Sequence, residues 1–347
     1  MNRSKIEWCD HTWNPITGCW HNCEYCYARK MSTRFAGDVR LNKMAKKDYF
    51  MVPAADSKRK LYVLDAPMLN ETGNPLVYPF GFEPTFHRYR QNMLDKLKMG
   101  NNIFVGAMAD IWGTWVPDEW IKWVLDICQT HPIHNYLFLT KNPDRYVELC
   151  LKDLLPEAQN MWYGVTVTNA EQAYTAEAAM QDMPSDAHAF LSIEPLLEEL
   201  SGALEIIIAN FTDWVIIGAE TGHRKNKVVP KKEWVEDIVR LCGEVNVPVF
   251  IKNSLIPIVG EENMRKEFPK QLQQSGISPK MEARLFALCA NCKSRMRKND
   301  MITLMARSMR GEQAKQFGFM CKGCFRKFCN DLELQIPELE RMKGTEV

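Results

Sequence analysis

Residues 103–108 read IFVGAM, a short run that is apolar throughout. Five more runs of this kind follow: YLFLT at 136–140, WYGVTV at 162–167, AFLSI at 189–193, WVIIG at 214–218 and VFI at 249–251. Their starts lie 33, 26, 27, 25 and 35 residues apart. That is the spacing of repeated strand–helix units, whose parallel strands are buried on both faces and lack polar alternation. The intervening segments carry helical periodicity. Residues 117–130 place Trp120, Trp123, Val124 and Ile127 on one face behind Pro117 at the first turn. Residues 231–245 repeat the pattern with Trp234, Ile238 and Leu241. Two earlier strands are predicted at 12–17 and 83–87, giving six to eight in all. The order fits an α/β fold built as a complete or partial (β/α) barrel better than an open doubly wound sheet.

In such barrels chemistry gathers at the carboxyl ends of the strands. Polar residues stand at nearly every one of these ends: Asp110, then Thr140 and Lys141, Thr166 to Asn169, Ser192 and Glu194, Glu220, and Lys252 with Asn253. Any one of them could be a helix cap or a surface charge. Together they describe the rim of an active site, with Lys141, Glu194, Glu220 and Lys252 as candidate catalytic groups. Residues 34–77, rich in Lys, Asp, Asn and Gly and weakly periodic, are expected to be an insertion serving as a lid or substrate arm.

Composition excludes several classes. The 347 residues are 46% hydrophobic and 25% charged, as in an ordinary soluble protein. No run approaches the roughly 18–20 apolar residues of a membrane span. The start, MNRSKIEWCDHTW, has no apolar core of a signal peptide. A cytoplasmic location with no membrane partner is expected, and with it reduced cysteines. The twelve cysteines then read as metal ligands and buried thiols. Cys9, Cys128, Cys150, Cys242 and Cys329 are scattered and assigned to packing.

The other seven form two groups. Cys19, Cys23 and Cys26 lie in GCWHNCEYCY at 18–27, a C-x3-C-x2-C array with Tyr25 before the last thiol. Three thiolates can hold a 4Fe–4S cluster with one iron left open for chemistry, whereas electron-carrying clusters normally take four. A zinc or inert cluster site completed by His21 or Cys9 is the alternative. The second group is Cys289-x2-Cys292 and Cys321-x2-Cys324, two knuckles separated by 28 residues. Four thiolates suit a closed, structural Zn²⁺ site, with an auxiliary Fe–S cluster as the competing assignment. The long gap predicts an inserted helix near 299–310. From Cys289 to Cys329 there are ten Lys or Arg against two Asp or Glu, a net +8, which leaves −7 for the remainder of a chain whose total is +1. A basic module of this kind suggests a nucleic-acid partner, with Phe317, Phe319, Phe325 and Phe328 available for stacking or for a small core. The organisation expected is a core at 1–270, a linker at 271–284, a four-cysteine zinc-binding module at 285–335 and a tail at 336–347.

The complete C-x3-C-x-aromatic-C pattern, following a predicted strand, resembles the signature of the radical S-adenosylmethionine superfamily. Over residues 5–270 the chain also resembles an uncharacterised phage-associated three-cysteine-motif family. The residues that carry this are KIEWCDHTWNPITGC, FGFEPTFHRYR, FVGAMADIWG, LFLTKNPDRY, LSIEPLL, WVIIGAETG and VFIKNSL. The resemblance implies a cluster on Cys19, Cys23 and Cys26 whose open iron is chelated by S-adenosylmethionine. Reductive cleavage then yields a 5′-deoxyadenosyl radical that abstracts hydrogen from substrate, with electrons from a donor such as a flavodoxin or ferredoxin. Cofactor contacts are expected from Tyr25, Gly106, Ala107, Asp110, Thr140, Thr166 and Ser192. One departure stands out: the Gly-Gly-Glu motif that meets the methionine amino group in the superfamily is missing, and Gly106-Ala107-Met108 is at best a degenerate stand-in. The expected substrate is a nucleic acid or nucleotide, modified or repaired. A radical enzyme acting on a peptide or small metabolite, and a non-catalytic nucleic-acid-binding protein with two structural metals, are the other readings.

Overall fold

The computed structural model describes residues 4–97, 100–156, 158–222 and 224–273, with short segments at 286–288, 295–297, 301–306 and 315–331. The chain separates into two compact units, Met1–Glu157 with Met161–Gln274, and Ala158–Asn160 with Ser275–Val347. In chain order the first unit contains β1 (His11–Trp13), β2 (Ile16–Thr17), α1 (Tyr27–Arg34), α2 (Val39–Met44), β3 (Phe50–Pro53), β4 (Lys60–Leu64), β5 (Thr85–His87) and β6 (Asn102–Val105). The series then alternates: α3 (Asp118–Thr130), β7 (Asn135–Thr140), α4 (Asp144–Leu151), β8 (Met161–Thr166), α5 (Ala170–Gln181), β9 (His188–Ile193), α6 (Ser201–Phe211), β10 (Trp214–Ile217), α7 (Lys232–Glu244), β11 (Val249–Ile251) and the short α8 (Ile256–Val259).

Seven strands form one parallel sheet in the order β1-β6-β7-β8-β9-β10-β11. The uniformly apolar runs behave as their composition demands: all residues of β6, β8 and β10 are buried. The sheet is curled. The Trp8 ring lies 4.7 Å from Phe104 on β6 and 6.3 Å from Trp214 on β10. Those strands are four places apart, which in a flat sheet would separate them by about 19 Å. Only a rolled sheet brings both onto one indole, so the architecture is a half-barrel with Trp8 plugging its interior beside Leu137, Trp162, Phe190 and Phe250. Beyond β11, residues 265–267 run antiparallel along the outer strand through Ile251 N–H to Arg265 O (2.8 Å) and Glu267 N–H to Val249 O (3.1 Å). This covers an edge that would otherwise expose unpaired backbone groups.

Two sequence expectations change. The strand predicted at 12–17 is divided, β1 joining the main sheet and β2 a side sheet of order β2-β5-β4-β3. Pro15 stands between them and has no N–H for a ladder; its carbonyl instead accepts from His87 N–H at 2.7 Å. The strand predicted at 83–87 is β5, but it belongs to this side sheet, antiparallel to β2 and parallel to β4. Residues 34–77 are folded: the β3–β4 hairpin adds to the side sheet, and Leu64, Met68 and Phe80 form a core beneath it.

In the second unit β12 (Phe286–Leu288) pairs antiparallel with β13 (Arg295–Arg297), and β14 (Met301–Ala306) with β15 (Lys315–Cys321), which leads into α9 (Lys322–Asp331). The helix expected at 299–310 is therefore replaced by a strand. Ile302 and Thr303 are β-branched, and the aromatic-bearing partner β15 supplies a ladder that local propensity could not reveal. No helix among the described residues is long and apolar enough to cross a membrane. Because Trp8 bridges the two sides of the rolled sheet, Trp8→Ala is expected to lower unfolding stability by about 3–5 kcal/mol, measured by urea denaturation.

Candidate functional site

The carboxyl ends of β6 to β11 and the loop from β2 to α1 enclose a cavity of about 470 Å³. Every candidate catalytic or cofactor-contact residue of the first unit lines it. Cys19, Cys23, Tyr25 and Cys26 come from the loop. Gly106, Ala107 and Asp110 follow β6, Thr140 and Lys141 close β7, Thr166 ends β8, Ser192 and Glu194 end β9, Glu220 follows β10 and Lys252 follows β11. A larger cavity of about 900 Å³, lined by residues such as Asp118, Arg145 and Glu148, contains none of them. Asn169 and Asn253 do not line it; Asn169 instead caps α5, its side-chain oxygen accepting from Gln172 N–H at 2.9 Å.

The cysteine loop is held at both ends. Gly18 N–H donates to Met108 O (2.9 Å) and Cys19 N–H to Phe82 O (3.2 Å). Gly18 has φ +86°, and a Cβ there would lie 2.3 Å from Glu83 O, so no other residue fits this approach. At the far end Cys26 caps α1, its sulfur accepting from Arg29 N–H at 3.4 Å, while Cys19 Sγ accepts from His21 N–H at 3.5 Å. Burial, Asp110 and the neighbouring Cys23 and Cys26 push the Cys19 thiol up to about 12. Among the described residues no group of three or more His, Cys, Asp or Glu is gathered as a single-ion site. Such a site needs ligands converging on one atom, whereas a four-iron cluster takes one thiolate per iron at separate corners.

Asp110 is the hub between loop and sheet. Its buried carboxylate accepts from His21 Nε2 (2.8 Å), Trp112 N–H (3.0 Å), Lys141 N–H (2.9 Å) and Thr140 Oγ1 (2.9 Å). Burial alone would raise its pKa, but His21, the Lys141 amide and Thr140 hold it below the usual carboxylate value. With both oxygens fully engaged it positions the loop and has no lone pair left for a ligand. His21 is thereby tied to Asp110 and packed edge-on against Trp115 at 5.0 Å. Cys9, the other alternative fourth ligand, is buried in the core cluster, outside the cavity lining.

Charge on the cavity wall is mostly paired. Lys252 Nζ bonds Glu194, and a Cβ on Gly218 would approach both side chains at 3.0–3.1 Å. Glu220 takes two bonds of 2.8 Å from Arg224, which holds its pKa down, and Arg224 reaches on to Glu24 within the cysteine loop at 3.0 Å. Lys141 differs. Its buried ammonium has no hydrogen-bond partner among the described residues and lies 5.4 Å from the Tyr25 ring centroid. The Glu24–Arg224 clamp and Tyr27, whose hydroxyl donates to Ala107 O at 2.8 Å, were not singled out from sequence. Glu24 sits inside the cysteine array and Arg224 four residues past Glu220, so position was the available signal.

Of the second metal group, Cys289 and Cys292 lie outside the described residues, as does the side chain of Cys321. Cys324 is in the first turn of α9. Removing the hub, Asp110→Ala, strands four donors and is expected to cost at least about 3 kcal/mol by urea unfolding. Asp126→Ala, which breaks an exposed pair with Lys122, should cost under about 1 kcal/mol.

No curated protein matches the chain. Solved structures of spore photoproduct lyase are similar at low level. A cysteine-to-serine mutant gives a TM-score of 0.41 at 9% identity, covering 72% of this chain and 77% of that one. A cysteine-to-alanine mutant with dinucleoside spore photoproduct gives 0.40 at 10%, covering 68% and 74%. A double mutant with bound AdoMet and the same dinucleoside gives 0.39 at 10%, covering 69% and 74%. A family model described as protein of unknown function (DUF5131) matches residues 3–267, and the chain belongs to that family.

Proposed function

We propose that the chain is a radical S-adenosylmethionine enzyme acting on a nucleic acid or nucleotide. The observation that carries the reading is the meeting of a thiol triplet with the carboxyl ends of six parallel strands in a single cavity. The donor set fits the cofactors. Three sulfurs are available, the alternative thiol Cys9 is packed in the core, and His21 is already bound to Asp110. Cys19, Cys23 and Cys26 would hold a 4Fe–4S cluster with one iron open. When bound, cluster and S-adenosylmethionine supply reductive cleavage of the sulfonium and hydrogen abstraction from substrate.

The chain's own groups do the rest. The amides of His21 and Arg29 donate to Cys19 and Cys26 and would orient their thiolates. Asp110 fixes the loop against β6 and β7. The Lys141 ammonium, lacking a protein acceptor among the described residues, is the group suited to a carboxylate. The Glu194–Lys252 and Glu220–Arg224 pairs line the wall with fixed charge. The phage association expected from the motifs belongs to this proposal, as does the electron donor. The nucleic-acid half is supported by the +8 segment from Cys289 to Cys329. Its four-cysteine set is proposed as a structural zinc site.

Anaerobic reconstitution should load about four irons per chain, and each of Cys19→Ala, Cys23→Ala and Cys26→Ala should abolish the reduced-cluster paramagnetic signal. Reductant should then release 5′-deoxyadenosine, with deuterium transferred from labelled DNA, RNA or nucleoside. Label arriving from a peptide or metabolite instead would favour the other radical reading, and zinc at the N-terminal triplet with no cleavage would overturn both. Lys141→Ala should leave the cluster signal intact while weakening S-adenosylmethionine binding by about tenfold or more. Metal analysis should find about one zinc per chain, lost in Cys289→Ser.

A further inference from the structure

The expected basic patch lies in the tail, but the structure displays a second one beside the cavity. Residues 27–60 hold ten Lys or Arg against three Asp, a net +7, so with the tail's +8 the rest of the chain carries −14. This segment holds α1, α2, β3 and the turn that leads into β4. Tyr27, Met31 and Phe35 recur every fourth residue, forming one stripe along and just past α1, and are 50%, 43% and 54% exposed. On α2 no residue is buried. Asn42 ties α2 to the end of α1 through Ala36 O (3.0 Å).

Three cations of this segment lie close to aromatic rings. Arg34 lies 5.5 Å from the Phe35 ring centroid, Arg59 3.6 Å from Trp20 and Lys43 5.6 Å from Tyr62. Arg34, Lys46 and Lys47 are exposed, and none has a carboxylate within ion-pair distance among the described residues. The stripe begins at the cavity: Tyr27 lines it, and Lys30 is near enough to Glu220 on its wall to help lower that group's pKa.

We infer that this face docks an unpaired nucleic-acid strand, with phosphates on Lys30, Arg34, Lys46 and Lys47 and bases against Met31 and Phe35, leading a nucleotide in past Tyr27. Single strands suit it because exposed rings can stack only on unpaired bases while cations follow the backbone. The inference rests on the nucleic-acid reading of the substrate and adds the surface and the form of strand. A membrane surface would also attract exposed basic and apolar groups, but it gives no reason for the stripe to run into a cavity.

The test is fluorescence anisotropy of the full chain with single-stranded DNA and RNA oligonucleotides and a duplex, titrated from about 50 to about 200 mM salt. Single strands should bind more tightly than duplex. Reversing four charges (Lys30→Glu, Arg34→Glu, Lys46→Glu, Lys47→Glu) should weaken binding at least about tenfold and flatten the salt slope by about 2–3. Phe35→Ala should weaken single-strand binding about fivefold or more. Circular dichroism checks that these exposed substitutions leave the fold intact. A tail control, Lys322→Glu with Lys327→Glu, should retain the arm-dependent binding. If wild type and arm variants bind alike, the arm is overturned and the nucleic-acid reading stands. If wild type binds neither DNA nor RNA, both fall. Preference for duplex, or adsorption to phosphatidylserine vesicles without oligonucleotide binding, also overturns the arm.

Discussion

A buried carboxylate organises the cavity. Taking Asp110 out of water costs several kcal/mol unless its oxygens are fully bonded. The bonds it receives come from three separated places: His21 in the cysteine loop, Trp112 beyond β6, and Thr140 with Lys141 at the end of β7. Satisfying the charge therefore fixes those three segments relative to one another. The cysteine loop is thus held by a group far away in sequence, and its sulfurs are presented to the strand ends. Gly18 completes the attachment by allowing the backbone to pass close to Glu83.

The cavity is a consequence of curvature. A parallel sheet must bury both faces, and here helices cover the outside while aromatic residues fill the inside. Trp8, Phe104, Trp162, Phe190, Trp214 and Phe250 occupy the interior from six different places in the chain. Since every strand runs the same way, the residues that follow them emerge together at one rim. Rolling the sheet turns that rim inward, so Lys141, Glu194, Glu220 and Lys252 face a shared space. Gly218 leaves room for the Glu194–Lys252 pair against the strand end.

Charge is sorted in the same way. An almost neutral total conceals two basic regions, 27–60 and Cys289–Cys329, on an otherwise acidic chain. The field of each region reaches over a Debye length of about 8 Å at physiological salt. In the first unit the basic region adjoins the cavity at Tyr27.

The sequence by itself determined the strand–helix series, because a strand buried on both faces must be apolar throughout, and the spacing of such runs is visible at 103–108 and the five that follow. It also marked the cavity residues, because side chains at the carboxyl ends of consecutive parallel strands share one rim. What it could not determine was pairing. Residues 83–87 have the composition of a barrel strand, yet β5 lies in the side sheet because its partners β2 and β4 are distant in the chain. The strand at Met301–Ala306 was hidden for the same reason, its ladder being formed with β15. Nor could the sequence show that Asp110 bonds His21, eighty-nine residues away. The Lys-rich stretch 34–77 was legible as a candidate substrate arm, but its charges are spread over helices and a hairpin, and only the fold sets α1 beside the cavity. Local composition encodes burial and periodicity, whereas hydrogen-bond partners and shared surfaces are set by long-range closure, which tertiary structure alone decides.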